Sequence, residues 1–116
     1  MGKMSTTKIM LEYSPGVNSN SIGEILSKNF PEYPLDYPFF GIGAEGVAMA
    51  KTPRAYVCVQ IKHNEKRNTT RLRIYGSPPP FRNGLISYFI YLGGIGDMVD
   101  RVVEVIRKEL PNLTKH

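Results

Sequence analysis

The sequence predicts a two-layer α+β sandwich: a mainly antiparallel sheet of four or five strands with two helices on one face. Three observations carry this expectation. Apolar residues alternate with polar ones on either side of a polar stretch at His63–Asn68, the pattern of a β-hairpin. Apolar residues also recur at helical spacing in two separate stretches, Ile22–Phe30 and Met98–Leu110. The chain has 116 residues, 41% hydrophobic and 22% charged, so a single globular domain over residues 1–116 is expected. The element order reads β-α-β-β-β-β-α. Two helices do not cover both faces of such a sheet, so one face stays open or is covered by a partner.

Residues 1–5 are expected to fray. Lys8–Tyr13 alternates Ile9, Leu11 and Tyr13 with Lys8, Met10 and Glu12, and Ser14-Pro15-Gly16 stops this first strand. Ser21 followed by Glu24 is a capping-box spacing, and Ile22, Ile25, Leu26 and Phe30 then mark a short helix that Pro31 ends. Phe30–Pro38 holds three prolines and a doubled acid-Tyr-Pro triplet, hence an extended or turn-rich connection, with Phe39 and Phe40 expected to anchor it to the core. Gly46–Lys51 reads as a short edge strand, with one helical turn as the alternative; strand is favoured because Thr52-Pro53 reads as a tight turn into the next one.

Along Arg54–Lys62 the residues Ala55, Val57, Val59 and Ile61 share one side, and along Thr70–Tyr75 so do Leu72 and Ile74. A four-residue loop, Glu65–Asn68, sets Ile61 opposite Leu72 and Val59 opposite Ile74, so apolar meets apolar. Pro78–Pro80 must leave the sheet and Asn83-Gly84 marks a turn. Leu85–Leu92 is apolar on both sides, which suits a buried strand. Gly93–Gly96 breaks it, Asp97 is placed to cap the last helix, Pro111 is expected to close that helix, and residues 112–116 to fray.

Net charge is +5, and its distribution is uneven. Lys51–Arg82 holds eight basic residues against Glu65 alone, a charge of +7, and the rest of the chain carries −2. Such a stretch favours anionic partners without specifying the fold. No apolar run reaches the roughly 18 residues of a membrane span, and Lys3 and Lys8 precede no signal-peptide-like stretch. One cysteine, Cys58, excludes an internal disulfide, and with two histidines it cannot build a zinc-finger-like site. A cytoplasmic protein with no metal, no cofactor and no membrane partner is the expectation.

The side of the hairpin away from its apolar residues holds Tyr56, Cys58, Gln60, Lys62, Arg71, Arg73 and Tyr75. Lys62 opposite Arg71 is a like-charge pair, which costs a few tenths of a kcal/mol or more and invites an anion. Tyrosines beside arginines offer ring faces on which unpaired bases stack. The leading expectation is therefore single-stranded RNA binding. Lys62, Arg71 and Arg73, with Lys66 and Arg67 on the turn, would hold phosphates, and Tyr56 and Tyr75 would stack bases. Thr70–Ser77 lacks the glycine-aromatic core of an RNA-recognition motif, so the expectation rests on the chemistry of the face alone. Two readings compete with it: a solvated face in which Glu12 pairs with the cations, and a homodimer or partner-docking surface using Met10, Tyr56 and Tyr75.

The remaining motifs are weaker. Gly41–Gly46 matches G-x-G-x-x-G, but Thr52-Pro53 truncates any following helix, no acid lies near Lys66, and Glu45 opposes phosphate. Gly93–Gly96 precedes a helix, but Asp97 and Asp100 already serve its dipole. No catalytic set emerges: His63 is expected as an exposed turn residue, His116 is terminal, and Cys58 has no base. A small-molecule enzyme ranks third and requires a deep pocket behind one of the glycine loops.

Overall fold

The structure, a computed structural model, describes residues 6–52, 55–77 and 95–114. The elements are β1 (Thr7–Glu12), α1 (Ser19–Asn29), β2 (Leu35–Asp36), β3 (Ala44–Thr52), β4 (Ala55–Asn64), β5 (Thr69–Ser77) and α2 (Ile95–Thr114). The strands form one antiparallel sheet in the order β1-β5-β4-β3-β2. The order of types is the one the sequence predicts, but β2 is an unforeseen member. The expected strand Leu85–Leu92, with Pro78–Pro80, Asn83-Gly84 and Gly93-Gly94, lies outside the described residues.

Register sorts the side chains. Ile61 pairs with Leu72 and Leu72 with Ile9; Val47 pairs with Val59, and Val59 with Ile74. These residues share a face and are buried, together with Met49 and Val57. Onto that face pack Ile22, Ile25, Leu26 and Phe30 of the α1 region and Met98, Val102, Ile106 and Leu110 of α2. Burial of each such side chain contributes about 1.5–3 kcal/mol, so this layer dominates the stability. Both helices are on one face.

The hairpin closes as its residue pattern requires. Asn68 adopts φ 57° and its N–H donates to the Glu65 carbonyl at 3.1 Å. Asparagine is among the few side chains that tolerate the left-handed region, so the four-residue turn closes without glycine.

Helix α1 begins a turn earlier than Ile22, and its cap is Asn18, not Ser21. The Asn18 side chain accepts from the Ser21 N–H at 3.0 Å, and the Ser21 hydroxyl accepts from the Asn18 N–H at 2.9 Å. Glu45 of β3 accepts from the Ser19 N–H at 2.8 Å, satisfying a further donor of the added turn. A carboxylate from the sheet thereby ties down the positive end of the helix.

Helix α2 starts ahead of Asp97, which sits in its first turn, and runs through Pro111 to Thr114. Proline inside a helix costs about 3 kcal/mol, for the lost hydrogen bond and the ring clash. Here Leu110 is buried and Leu113 packs against the core on either side of it. Thr114 Oγ1 also donates to the Leu110 carbonyl at 3.2 Å. Packing therefore carries the helix past the break expected at Pro111.

Of the two phenylalanines expected to anchor the proline-rich connection, only Phe40 does so. Its ring lies against Gly46 of β3, whereas Phe39 is 82% exposed. Tyr33 and Leu35 supply the rest of the anchorage. A Cβ at Gly46 would strike the Val59 carbonyl oxygen and the Phe40 ring. Gly46→Ala should therefore destabilise the fold by about 1–3 kcal/mol, a shift readable in the urea midpoint; an unchanged midpoint would contradict this packing.

Candidate nucleic-acid interface

The face opposite the helices is built by alternation. Pairing across β4, β5 and β1 arranges it in rows: Lys62–Arg71–Met10, then Gln60–Arg73–Lys8, then Cys58 beside Tyr75. Partners in a row stand about 4.8 Å apart in strand spacing, and successive rows two residues apart along each strand. Lys8, Lys62, Arg71 and Arg73 thus occupy two adjacent rows. Among the described residues none of the four has a carboxylate within ion-pair distance. Glu12, which could have neutralised them, lies one row further on, paired with Thr69.

Lys62 and Lys8 are exposed, and Arg71 and Arg73 are half-buried. Lys66 and Arg67 are exposed on the turn, where the Arg67 N–H donates to Asn64 Oδ1 at 3.2 Å. A cleft of about 320 Å³ opens between Met10, Lys62, Asn64, Arg67 and Arg71, joining the turn to the first row.

The structure brings Lys62, Arg71 and Arg73 together, places Lys66 and Arg67 at the turn beyond them, and sets Tyr75 two residues along β5 from Arg73. Tyr56 is more remote, paired with Ala50 and Ser77 at the far end of the face. Both tyrosines are half-buried. Burial pushes the Tyr75 phenol upward, the nearby Cys58 adds to this, and Arg73 opposes it. Lys8 was not expected at the site. Its place depends on β1 pairing beside β5, a long-range contact with no local signature.

Several expected features resolve differently. His63 is half-buried in β4, not an exposed turn residue. Its Nδ1 lies 2.8 Å from Thr70 Oγ1, which also accepts from the Ser14 N–H at 2.8 Å. The Tyr13 ring meets the His63 ring edge-on at 5.6 Å, and Tyr13 donates to Glu65 at 2.9 Å, a bond that raises its phenol pKa. This cluster fastens the hairpin tip to the end of β1. Gly41 and Gly43 take φ of 115° and 79°, so the loop needs glycine, and the chain continues into β3 without a helix. The geometry of a dinucleotide loop is therefore absent.

Cys58, 3% exposed, is held as the neutral thiol; burial pushes its pKa up to about 12, against a smaller lowering from Ser77. A thiol kept protonated is a poor nucleophile. Among the described residues no three His, Cys, Asp or Glu side chains gather as a metal site, and no helix is long and apolar enough to cross a membrane.

Comparison with family models, with curated proteins and with solved structures returns no match.

The state of Cys58 yields a measurable consequence. An unfolded thiol loses its proton near pH 9.0 and the folded one only near about 12. Between those values unfolding releases a proton, so stability falls as pH rises, by up to about 1.4 kcal/mol per pH unit. Cys58→Ala should flatten that part of the stability profile, measured by urea unfolding from pH 8 to pH 11. An equal slope in both proteins would contradict the buried neutral thiol.

Proposed function

We propose that the β1–β5–β4 side of the open face binds single-stranded nucleic acid, with RNA as the expected ligand. The observation that carries this is the set of cations Lys8, Lys62, Arg71 and Arg73, unpaired among the described residues, in two adjacent rows of the face opposite the helices. Like charges held side by side repel, and a polyanion relieves the repulsion at every contact. Lys66 and Arg67 extend the positive strip along the hairpin turn. Tyr75, next along β5, borders the strip on the other side. Unpaired bases can lie on a sheet surface, whereas a duplex groove is read by an inserted helix or ribbon.

Self-association through the same face is the second reading, favoured by Met10, which is 54% exposed in the row of Arg71 and Lys62. Repulsion between two copies of the cation rows weighs against it.

The test is fluorescence anisotropy of a labelled mixed-sequence single-stranded RNA across a salt series. With three or four phosphates neutralised, log affinity should fall against log salt with a slope of about −2 to −3. Changing Arg71 and Arg73 together to Ala should weaken binding and make the slope shallower by about 1.4, with the molecular mass in solution unchanged. No binding at low salt would remove the proposal. A dimer that becomes a monomer in the double variant would establish self-association instead.

A further inference from the structure

The connection between β2 and β3 presents the two most exposed large apolar side chains among the described residues, Phe39 at 82% and Ile42 at 93%. Apolar side chains exposed on one loop mark an interaction site more often than ones scattered singly over a surface. The loop is fixed in place. The Ala44 N–H donates to the Gly41 carbonyl at 3.2 Å, closing the turn at its tip. Gln60 Nε2 donates to the Phe40 carbonyl at 3.4 Å, and the Phe40 ring lies against Gly46. Gly46, Gln60, Arg73 and Lys8 are successive members of one row across four strands. Phe39 is therefore joined to a residue seated at one end of a row that passes through neutral Gln60 and ends in two cations, Arg73 and Lys8. Two strand spacings, about 10 Å, separate Gly46 from Arg73.

We infer that Phe39 is the base-stacking residue of the open face, holding an unpaired base of a single-stranded nucleic acid while Arg73 and Lys62 hold the adjacent phosphates. The inference rests on the reading of the open face given above and adds to it the residue that grips the base. The tyrosines expected in that role suit it less. Tyr75 is half-buried in the sheet, and Tyr56 stands at the end of the face away from Lys62 and Arg71. Phe39 is 82% exposed and adjoins Phe40, whose ring lies on Gly46 at the end of the row that holds Arg73 and Lys8. Stacking on an aromatic ring is tolerant of base identity, so the site grips single strands without reading a sequence.

An anionic bilayer is the other polyanion that an exposed Phe and Ile could meet. A bilayer engages cations gathered around an inserted tip. Here Arg73 and Lys8 run from the loop across the sheet, as the phosphates of a strand require.

The chain contains no tryptophan, so Phe39→Trp introduces a single indole at a position already exposed to water. The probes are a mixed-sequence single-stranded RNA and, separately, phosphatidylcholine–phosphatidylserine vesicles. RNA should quench the indole with the same midpoint as its anisotropy change. Phe39→Ala should lower RNA affinity about 5- to 150-fold with an unchanged salt slope, since stacking releases no counterions. Ile42→Ser should leave RNA affinity unaltered. RNA binding by the unaltered protein, with no indole response and full affinity in Phe39→Ala, would overturn the stacking role and leave the open-face reading standing. Absence of any RNA binding at low salt would remove both. A blue shift on the vesicles, together with vesicle binding lost in both Phe39→Ala and Ile42→Ser, would overturn the inference in favour of membrane docking.

Discussion

The pairing of β4 with β5 decides which side of this sheet is apolar and which is charged. Ile61 against Leu72 and Val59 against Ile74 place four aliphatic side chains under the helices. The same pairing sets Lys62 against Arg71 and Gln60 against Arg73 on the opposite side. A slip of one residue in either strand would turn its cations into the core and its aliphatic residues into water. Asn68, in the left-handed region at φ 57°, closes the turn that fixes this count, and the Tyr13–Glu65 and Thr70–Ser14 bonds hold β1 to the same register.

The energies explain why an unfavourable charge pair is tolerated. Opposed cations cost a few tenths of a kcal/mol, whereas each aliphatic residue buried by the same register returns about 1.5–3 kcal/mol. The core thus holds the cations side by side. Helices α1 and α2 both pack on the apolar layer, so neither covers the charged one. The charged face carries its positive strip along β1, β5 and the hairpin, while the loop from β2 to β3 borders the other side through Phe40 on Gly46.

What could be read from the residues alone was whatever local periodicity determines. The hairpin and its register follow from strict alternation in Arg54–Lys62 and Thr70–Tyr75, and the two helices follow from apolar spacing. Element ends were less legible, because tertiary contacts set them. Glu45 reaches from β3 to the start of α1, and buried Leu110 and Leu113 carry α2 beyond Pro111. The candidate site divides in the same way. Lys62, Arg71 and Arg73 were legible because they share one hairpin. Lys8 required the β1–β5 pairing. The exposure of Phe39, beside a Phe40 that packs down, depends on the path of a proline-rich loop that no short-range pattern distinguishes.

The most direct test of the central claim is a map of where RNA lands. In an amide nitrogen–proton correlation spectrum of the labelled protein, addition of a short mixed-sequence single-stranded RNA should shift Lys8, Met10, Gln60, Lys62, Arg71 and Arg73, leaving α1 and α2 still. Shifts centred on the helices, or an unchanged spectrum at low salt, would contradict it.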